Sequence, residues 1–407
     1  MKSKQKYAEL LVRQGVNIQK GQTFVLSCPI EVADFGRLVQ EEAYKAGARE
    51  VVMRWIDEKS SKISYDMADD AIFDEVAPWV SSFYNGYVDQ KAAFMTIVSD
   101  DPELMKDVDP KRIARAVKAR SIALEHFRNE QMSGRNAWCV AAASSEGWAR
   151  KVFPADEAKV AVEKLWDAIY KATRVDCEDP FLEWEKHQEN FERRTKILND
   201  YAFTHLEYKN SLGTDLRVAL AKNHIWLGGS KDSETGYPFN ANIPTEEVFT
   251  APDAKGTDGR IYSSIPLNYQ GNLIDKFWFE IEDGFVVDFG AEKGAENLKQ
   301  LLETDEGAKR LGEVALVSHD SPISNTGILF YNTLFDENAS CHFALGKAYA
   351  SCLEGGKNMN AEEQKKAGIN DSFIHVDFMV GTKDLEIDGI LASGEKVPVF
   401  RDGNFVF

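Results

Sequence analysis

The segment Phe373–Gly381 reads FIHVDFMVG. In a β-strand side chains alternate, so His375, Asp377 and Met379 share one face while Ile374, Val376, Phe378 and Val380 share the other. The second set is a core face. An imidazole and a carboxylate therefore project together from a rigid strand, which is what two metal ligands require. A His–Asp hydrogen bond on a half-exposed strand would leave the same pattern, and the local sequence permits both readings.

A second imidazole stands in ASCHFALGKAYAS. The alanine-rich pattern predicts a helix, on which His342 and Tyr349 lie seven residues apart and stack on one face. Tyr349 could then ligate a metal or donate a hydrogen bond to a developing oxyanion, or the pair could simply pack against a sheet. Glu313 opens the apolar run EVALVS, and Glu246 and Glu247 lie in ANIPTEEVFTAPD between Pro244 and Pro252, which favour an extended backbone. Neighbours on an extended chain point in opposite directions, so at most one of Glu246 and Glu247 faces a given site. Taken separately, each of these acids reads as a surface residue. His126, His187, His205, His224 and His319 have no comparable partner and read as structural or exposed. The motifs H-E-x-x-H, G-x-S-x-G and H-x-E with P-C-x-x-C are absent from the chain.

The elements that must hold these residues differ between the two halves. Over residues 1–180, the strand patterns TFVLSC, EVVMRW, AAFMTIVS and AWCVAAAS alternate with helical stretches, including Val32–Ala46 and PKRIARAVKARSIALEHFRNE. That rhythm predicts an α/β layer with a largely parallel sheet. Neither G-x-G-x-x-G after its early strands nor G-x-x-x-x-G-K-[ST] is present, which weakens a nucleotide-binding reading. Helical patterns continue to about Asp200, with a boundary expected near CEDP, Cys177 to Pro180. Beyond it come four Asp-Gly pairs, a hairpin signal because both residue types tolerate positive φ. FWFEIEDGFVVDF and VPVFRDGNFVF both fit hairpins, so residues 181–407 are expected to form a mixed, antiparallel-rich α+β domain.

Composition narrows the partners. The chain has 407 residues, enough for two domains, and its 43% hydrophobic content excludes disorder as the main description. A formal charge of −18 would repel a phosphate backbone, so nucleic acid and anionic membrane surfaces are disfavoured. Residues 1–180 carry 26 Lys and Arg against 29 Asp and Glu, so the second half holds most of the acidity. A carboxylate-rich half hints at a bound cation, but by itself a solvated acidic surface is the better reading. No apolar run approaches the roughly 18 residues of a membrane span, and the N-terminus lacks a signal-peptide core. Cys28, Cys139, Cys177, Cys341 and Cys352 are scattered and form no C-x-x-C pair, which points to a reducing, cytoplasmic setting.

Taken in order, NIPTEEVFTAP, GRIYSS, the Glu313 strand, CHFALGKAYA and FIHVDFMVG resemble the aminopeptidase T/S (PepS-type) family of metallo-aminopeptidases, over essentially the whole chain. The resemblance implies that Glu247, Glu313, His342, His375 and Asp377 ligate two divalent ions, with zinc, cobalt and manganese all open. It implies hydrolysis of the N-terminal peptide bond of peptides with a free N-terminus, at broad specificity, by a water bridging the two ions. Glu246 is then the candidate general base, with a structural role as the alternative, and Tyr349 either stabilises the tetrahedral intermediate or touches a metal. A homodimer is also implied, with a first domain, residues 1–180, that shapes access to the site and a second, residues 181–407, that binds the metals and carries catalysis. Two other classes compete with this reading: a nucleotide- or sugar-binding α/β protein without peptidase activity, and a non-catalytic acidic binding protein.

Overall fold

The computed structural model describes residues 2–269 and 272–407. Two compact units divide the chain, one formed by residues up to Lys186 together with Ser230–Thr245, the other by His187–Gly229 and Glu246–Phe407. The break falls inside the helix Pro180–Tyr201.

In the first unit, the strands β1 (Thr23–Pro29), β2 (Glu50–Ile56), β3 (Ala93–Val98) and β4 (Trp138–Ala142) are the four read from sequence. They pair in parallel in the order β4-β3-β1-β2, with the short strand Asn242–Ile243 added beside β4. Parallel strands need crossover helices, and Ala33–Lys45 is one of them. Its apolar face, Phe35, Val39 and Ala43, recurs every four residues and is buried. Gly36 lets this helix approach β1 closely, since a Cβ there would meet the Cys28 sulfur at 2.7 Å.

The second unit is antiparallel. Among the described residues nine strands, from Leu267–Tyr269 at one edge to Asn404–Phe405 at the other, form a large sheet, and five more form a smaller one. Two of the four Asp-Gly pairs make the expected hairpins. Asp283-Gly284 joins Asn272–Glu282 to Phe285–Lys293, and Asp402-Gly403 joins Lys396–Arg401 to Asn404–Phe405, with φ positive at all four turn residues. The other two pairs lie inside strands instead. Gly259 sits in Pro252–Tyr262, where a Cβ would collide with the Asp215 carbonyl, and Gly389 lies against the Phe203 ring. In both places the glycine serves close packing and no turn forms.

A continuous core of aromatic and aliphatic side chains joins the two sheets of this unit. Phe277, Phe279, Phe343 and Phe378 meet there at ring separations of 5.3 to 6.2 Å. All five cysteines are free thiols. No helix is long and apolar enough to cross a membrane among the described residues.

Candidate metal centre

The smaller sheet runs in the order His375–Met379, His342–Gly346, Leu311–Leu316, Val248–Thr250, Leu227–Gly228, all antiparallel. One face belongs to the core, through Phe378, Phe343, Leu345, Val314, Leu316 and Val248. Period-two alternation therefore commits the partners of these residues to the opposite face. That face carries His375 and Asp377 from the first strand, His342 from the second, Glu313 from the third and Glu247 just ahead of the fourth. A register shift between Leu311 and Glu313 brings Glu313 into line with Ala315.

The register also explains how so many polar groups fit together. Ala344 pairs with Glu313 on one side and with Asp377 on the other, and Gly346 pairs with His375. Small residues opposite the long ones leave room for the functional groups to converge across the strands.

They do converge. Ligand atoms of Glu247, Glu313 and His342 lie within 4.8 Å of one another, as do those of Glu313, His375 and Asp377, so Glu313 belongs to both triads. The His342 Nε2 is 3.0 Å from Glu247 and 3.8 Å from Glu313, while the His375 Nε2 is 3.5 Å from Glu313 and 3.4 Å from Asp377. On the far side of each ring, Nδ1 lies 3.0 Å from the Ser340 carbonyl in His342 and 2.7 Å from the Lys347 carbonyl in His375. A carbonyl only accepts, so each Nδ1 carries a proton and each Nε2 faces the triads.

Charge is concentrated here far from water. The side chains of His342 and Glu313 are 1% and 5% exposed. Burial alone would discharge both imidazoles, yet Glu247 and Glu313 hold the His342 pKa well above its ordinary value. The same contest, won by Asp377 and Glu313, carries His375 up to about 10. Burial raises Glu313, with His342 and His375 pulling the other way. Asp377 is held low against its own burial, chiefly by the charge of His375. One oxygen of Asp377, Oδ1, is buried and makes no well-formed hydrogen bond, with the His375 Nε2 3.4 Å away. Oriented imidazole nitrogens and three carboxylates fit divalent cations, with imidazole and carboxylate as the donor set.

Glu313 departs from its reading as a surface acid, being the third residue of a fully buried strand. The helix expected over ASCHFALGKAYAS does not form either. His342–Gly346 is a strand, and Gly346 ends it at φ +101. Pairing on both edges, with Phe343 and Leu345 drawn into the core, overrides the helical propensity of the alanines. Tyr349 accordingly reaches the site from the following loop and meets His375 edge-on, with ring centroids 4.8 Å apart. Burial, then the charges of Glu313, Asp377, Glu247 and Glu337, push its phenol well above 10 and keep it protonated.

Glu246 and Glu247 take different surroundings, as neighbours on an extended chain should. While Glu247 faces His342, the Glu246 carboxylate lies 3.6 Å from the His187 Nε2, both side chains 7% exposed. His187 is a residue that sequence reasoning set aside. Its neighbour one helical turn on, Phe191, lies 4.3 Å away ring to ring, and that apolar spacing was the available signal.

Glu337 was also missed. It opens a short 3-10 turn that packs against the His375–Met379 strand. Burial and then the charges of Asp377 and Glu247 drive its carboxyl well above the usual range, with His342 opposing and Glu313 adding. A turn of three residues has no periodicity to read, and DEN is an ordinary loop composition.

Residues 2–405 match the family described as thermophilic metalloprotease (M29). Aminopeptidase AmpS of Bacillus subtilis (strain 168) is 47% identical over 401 residues, covering 98% of each chain. Aminopeptidase T of Thermus aquaticus is 40% identical over 401 residues, again covering 98% of each. Among solved structures, wild-type AmpT from Thermus thermophilus aligns with a TM-score of 0.93 at 38% identity, covering 100% of this chain and 99% of that chain.

Proposed function

The chain belongs to the M29 family of metalloproteases, and from that premise we propose how its buried cluster serves an aminopeptidase. The protein is a metallo-aminopeptidase, acting on peptides with a free N-terminus. Relatives that match over nearly the whole chain are aminopeptidases, and nothing favours the nucleotide- or sugar-binding alternative.

On this reading Glu247, Glu313 and His342 would hold one divalent ion and Glu313, His375 and Asp377 a second, with Glu313 common to both sets. The observation that carries this reading is the pair of triads sharing Glu313, each entered by an imidazole Nε2 whose ring is fixed from behind. Bound there, zinc, cobalt or manganese would supply Lewis acidity toward the scissile carbonyl and toward water.

The chain's own residues do the rest. The two Nδ1 hydrogen bonds set the ring planes before any ligand arrives, so little reorganisation accompanies binding. The Tyr349 phenol, kept protonated, is a donor suited to the oxyanion that forms when the carbonyl is attacked. Proton transfer calls for a general acid–base group, and Glu246, a buried carboxylate outside both triads, is our candidate. An acid-rich site also suits a substrate that arrives with a cationic amine. Broad choice of N-terminal residue, a cytoplasmic location and a homodimer belong to the same proposal, and light scattering that returned the mass of a single chain would remove the dimer.

Metal content and hydrolysis of aminoacyl-nitroanilides before and after exhaustive chelation test the assignment. The expected result is two divalent ions per chain, activity lost with them, and activity regained on adding zinc, cobalt or manganese. Cleavage that survives complete metal removal would overturn it.

A further inference from the structure

In the parallel sheet of the first unit, Val52, Val25, Phe94 and Trp138 form one registered row across β2, β1, β3 and β4. They pack in an apolar cluster with Tyr84 of the helix Pro78–Asp89. Side chains return to a face every second residue, so the next row toward the carboxyl ends lies on the same face. That row holds Arg54, Ser27 and Thr96. From β1 the chain continues to β2 on one side and later to β3 on the other, so the winding reverses between Ser27 and Thr96. Such a reversal, at the carboxyl ends of the strands, is where open parallel sheets place their ligands.

Hydrogen bonding shows what this polar row lacks. The Arg54 Nη1 donates to the Ser27 Oγ at 3.0 Å and also to the Tyr84 hydroxyl. Arg120, on the helix Pro110–Ala123, donates through Nη2 to the same Tyr84 oxygen at 3.0 Å. Two guanidinium groups thus meet on one neutral oxygen, and among the described residues no carboxylate pairs with either. Arg112 and Arg115 on the same helix show the usual solution, pairing with Asp70 at 2.6 Å and Asp74 at 2.5 Å. Tyr84 and Ser27 are 6% and 7% exposed, yet among the described residues neither hydroxyl hydrogen has an acceptor. Buried donors and charges are ordinarily matched. Arg54 is half-buried and Arg120 exposed, so the place is open to water.

We propose that Arg54, Arg120 and Tyr84, with the Ser27 and Thr96 hydroxyls beside them, bind a doubly charged oxyanion of the phosphate class. Two guanidinium charges match the roughly −1.5 to −2 that a phosphate monoester carries at neutral pH. Its oxygens supply the acceptors that the hydroxyls and the remaining guanidinium N–H groups lack. The site lies wholly within the first unit and uses no residue of the metal centre, so it is additional to peptide hydrolysis.

Calorimetry with inorganic phosphate tests this on the metal-loaded protein, at fixed ionic strength and without free metal. Arg120→Met removes an exposed side chain and should leave the fold intact, while Arg54→Lys keeps the charge and loses the fork. Thermal unfolding checks both variants. Wild type should bind phosphate and melt at a higher temperature with it. Arg120→Met should weaken binding about tenfold to a hundredfold, the usual weight of a hydrogen bond to a charged group, and Arg54→Lys should weaken it as well. Wild-type protein that binds no phosphate would overturn the proposal. Equal affinity in wild type and both variants would put the phosphate elsewhere, the metal centre included, and overturn it too. Acetate bound as tightly as phosphate would remove the doubly charged class and overturn it equally.

Discussion

Within the described residues, the first unit has no counterpart to the buried cluster of the second. Among the groups it hides are two that stay neutral. Tyr7 and Cys139 are fully buried, and burial pushes the Tyr7 phenol well above its ordinary value, as it does the Cys139 thiol. Near the end of β2, Glu58 follows the same rule: burial, and then the neighbouring Asp100, carry its carboxyl up to about 9, so it keeps its proton at neutral pH. In the second unit, imidazoles and carboxylates are buried in contact with one another and hold opposite charges. A buried charge is tolerated only when partners compensate it, and buried ion pairs rarely add net stability. The second arrangement is therefore hard to justify by folding alone. It is the arrangement expected where ligand atoms must be kept deprotonatable and close together.

Substitutions at the cluster break this contrast most severely. His375→Ala or Asp377→Ala should reduce kcat/KM on the order of a thousandfold or more, because each removes a donor from the triad of Glu313, His375 and Asp377. Far-UV circular dichroism should stay close to wild type, since Val376 and Phe378, on the other face, still fill the core. Near wild-type turnover in either variant would dismiss the ligand assignment. Tyr349→Phe is milder. Loss of one hydrogen-bond donor to a developing oxyanion typically costs about 10²- to 10³-fold in kcat, and KM and metal content should hardly move. If metal content fell instead, Tyr349 would be a ligand.

The smallest effect lies in the first unit and concerns stability. Glu58 has a folded pKa above its unfolded one, so its contribution is fully present below about pH 4.3 and declines as pH rises through about 9. Glu58→Gln mimics the protonated acid and should flatten that decline, leaving the variant more stable than wild type at pH 8 and equal to it at pH 4. Denaturant melts at both pH values check this. A constant difference between the two proteins would show that Glu58 does not titrate differently on folding.

Much of this architecture was legible in the sequence because periodicity reports on burial. The alternation in FIHVDFMVG placed His375 and Asp377 on one face and Phe378 in the core, and the parallel strands of the first unit showed as apolar runs between helical stretches. Legibility failed where the decisive fact was non-local. Nothing within ASCHFALGKAYAS reveals that strands pair on both of its edges, so the alanines read as helix. Glu313 read as exposed because its buried surroundings come from strands far away in the chain. Glu337 sits in a three-residue turn that shows no periodicity, and Asp-Gly at 258–259 and 388–389 mimics a turn signal while serving close packing.

Both histidines of the cluster are oriented by main-chain carbonyls, those of Ser340 and Lys347. A carbonyl oxygen is present whatever amino acid occupies the position. Side chains at 340 and 347 can therefore drift through evolution, or be exchanged by an engineer, without deleting the acceptors that set the two tautomers. Only a change in the path of the chain removes them. The most exacting part of the centre is thus written in backbone geometry, where point mutation has the least purchase.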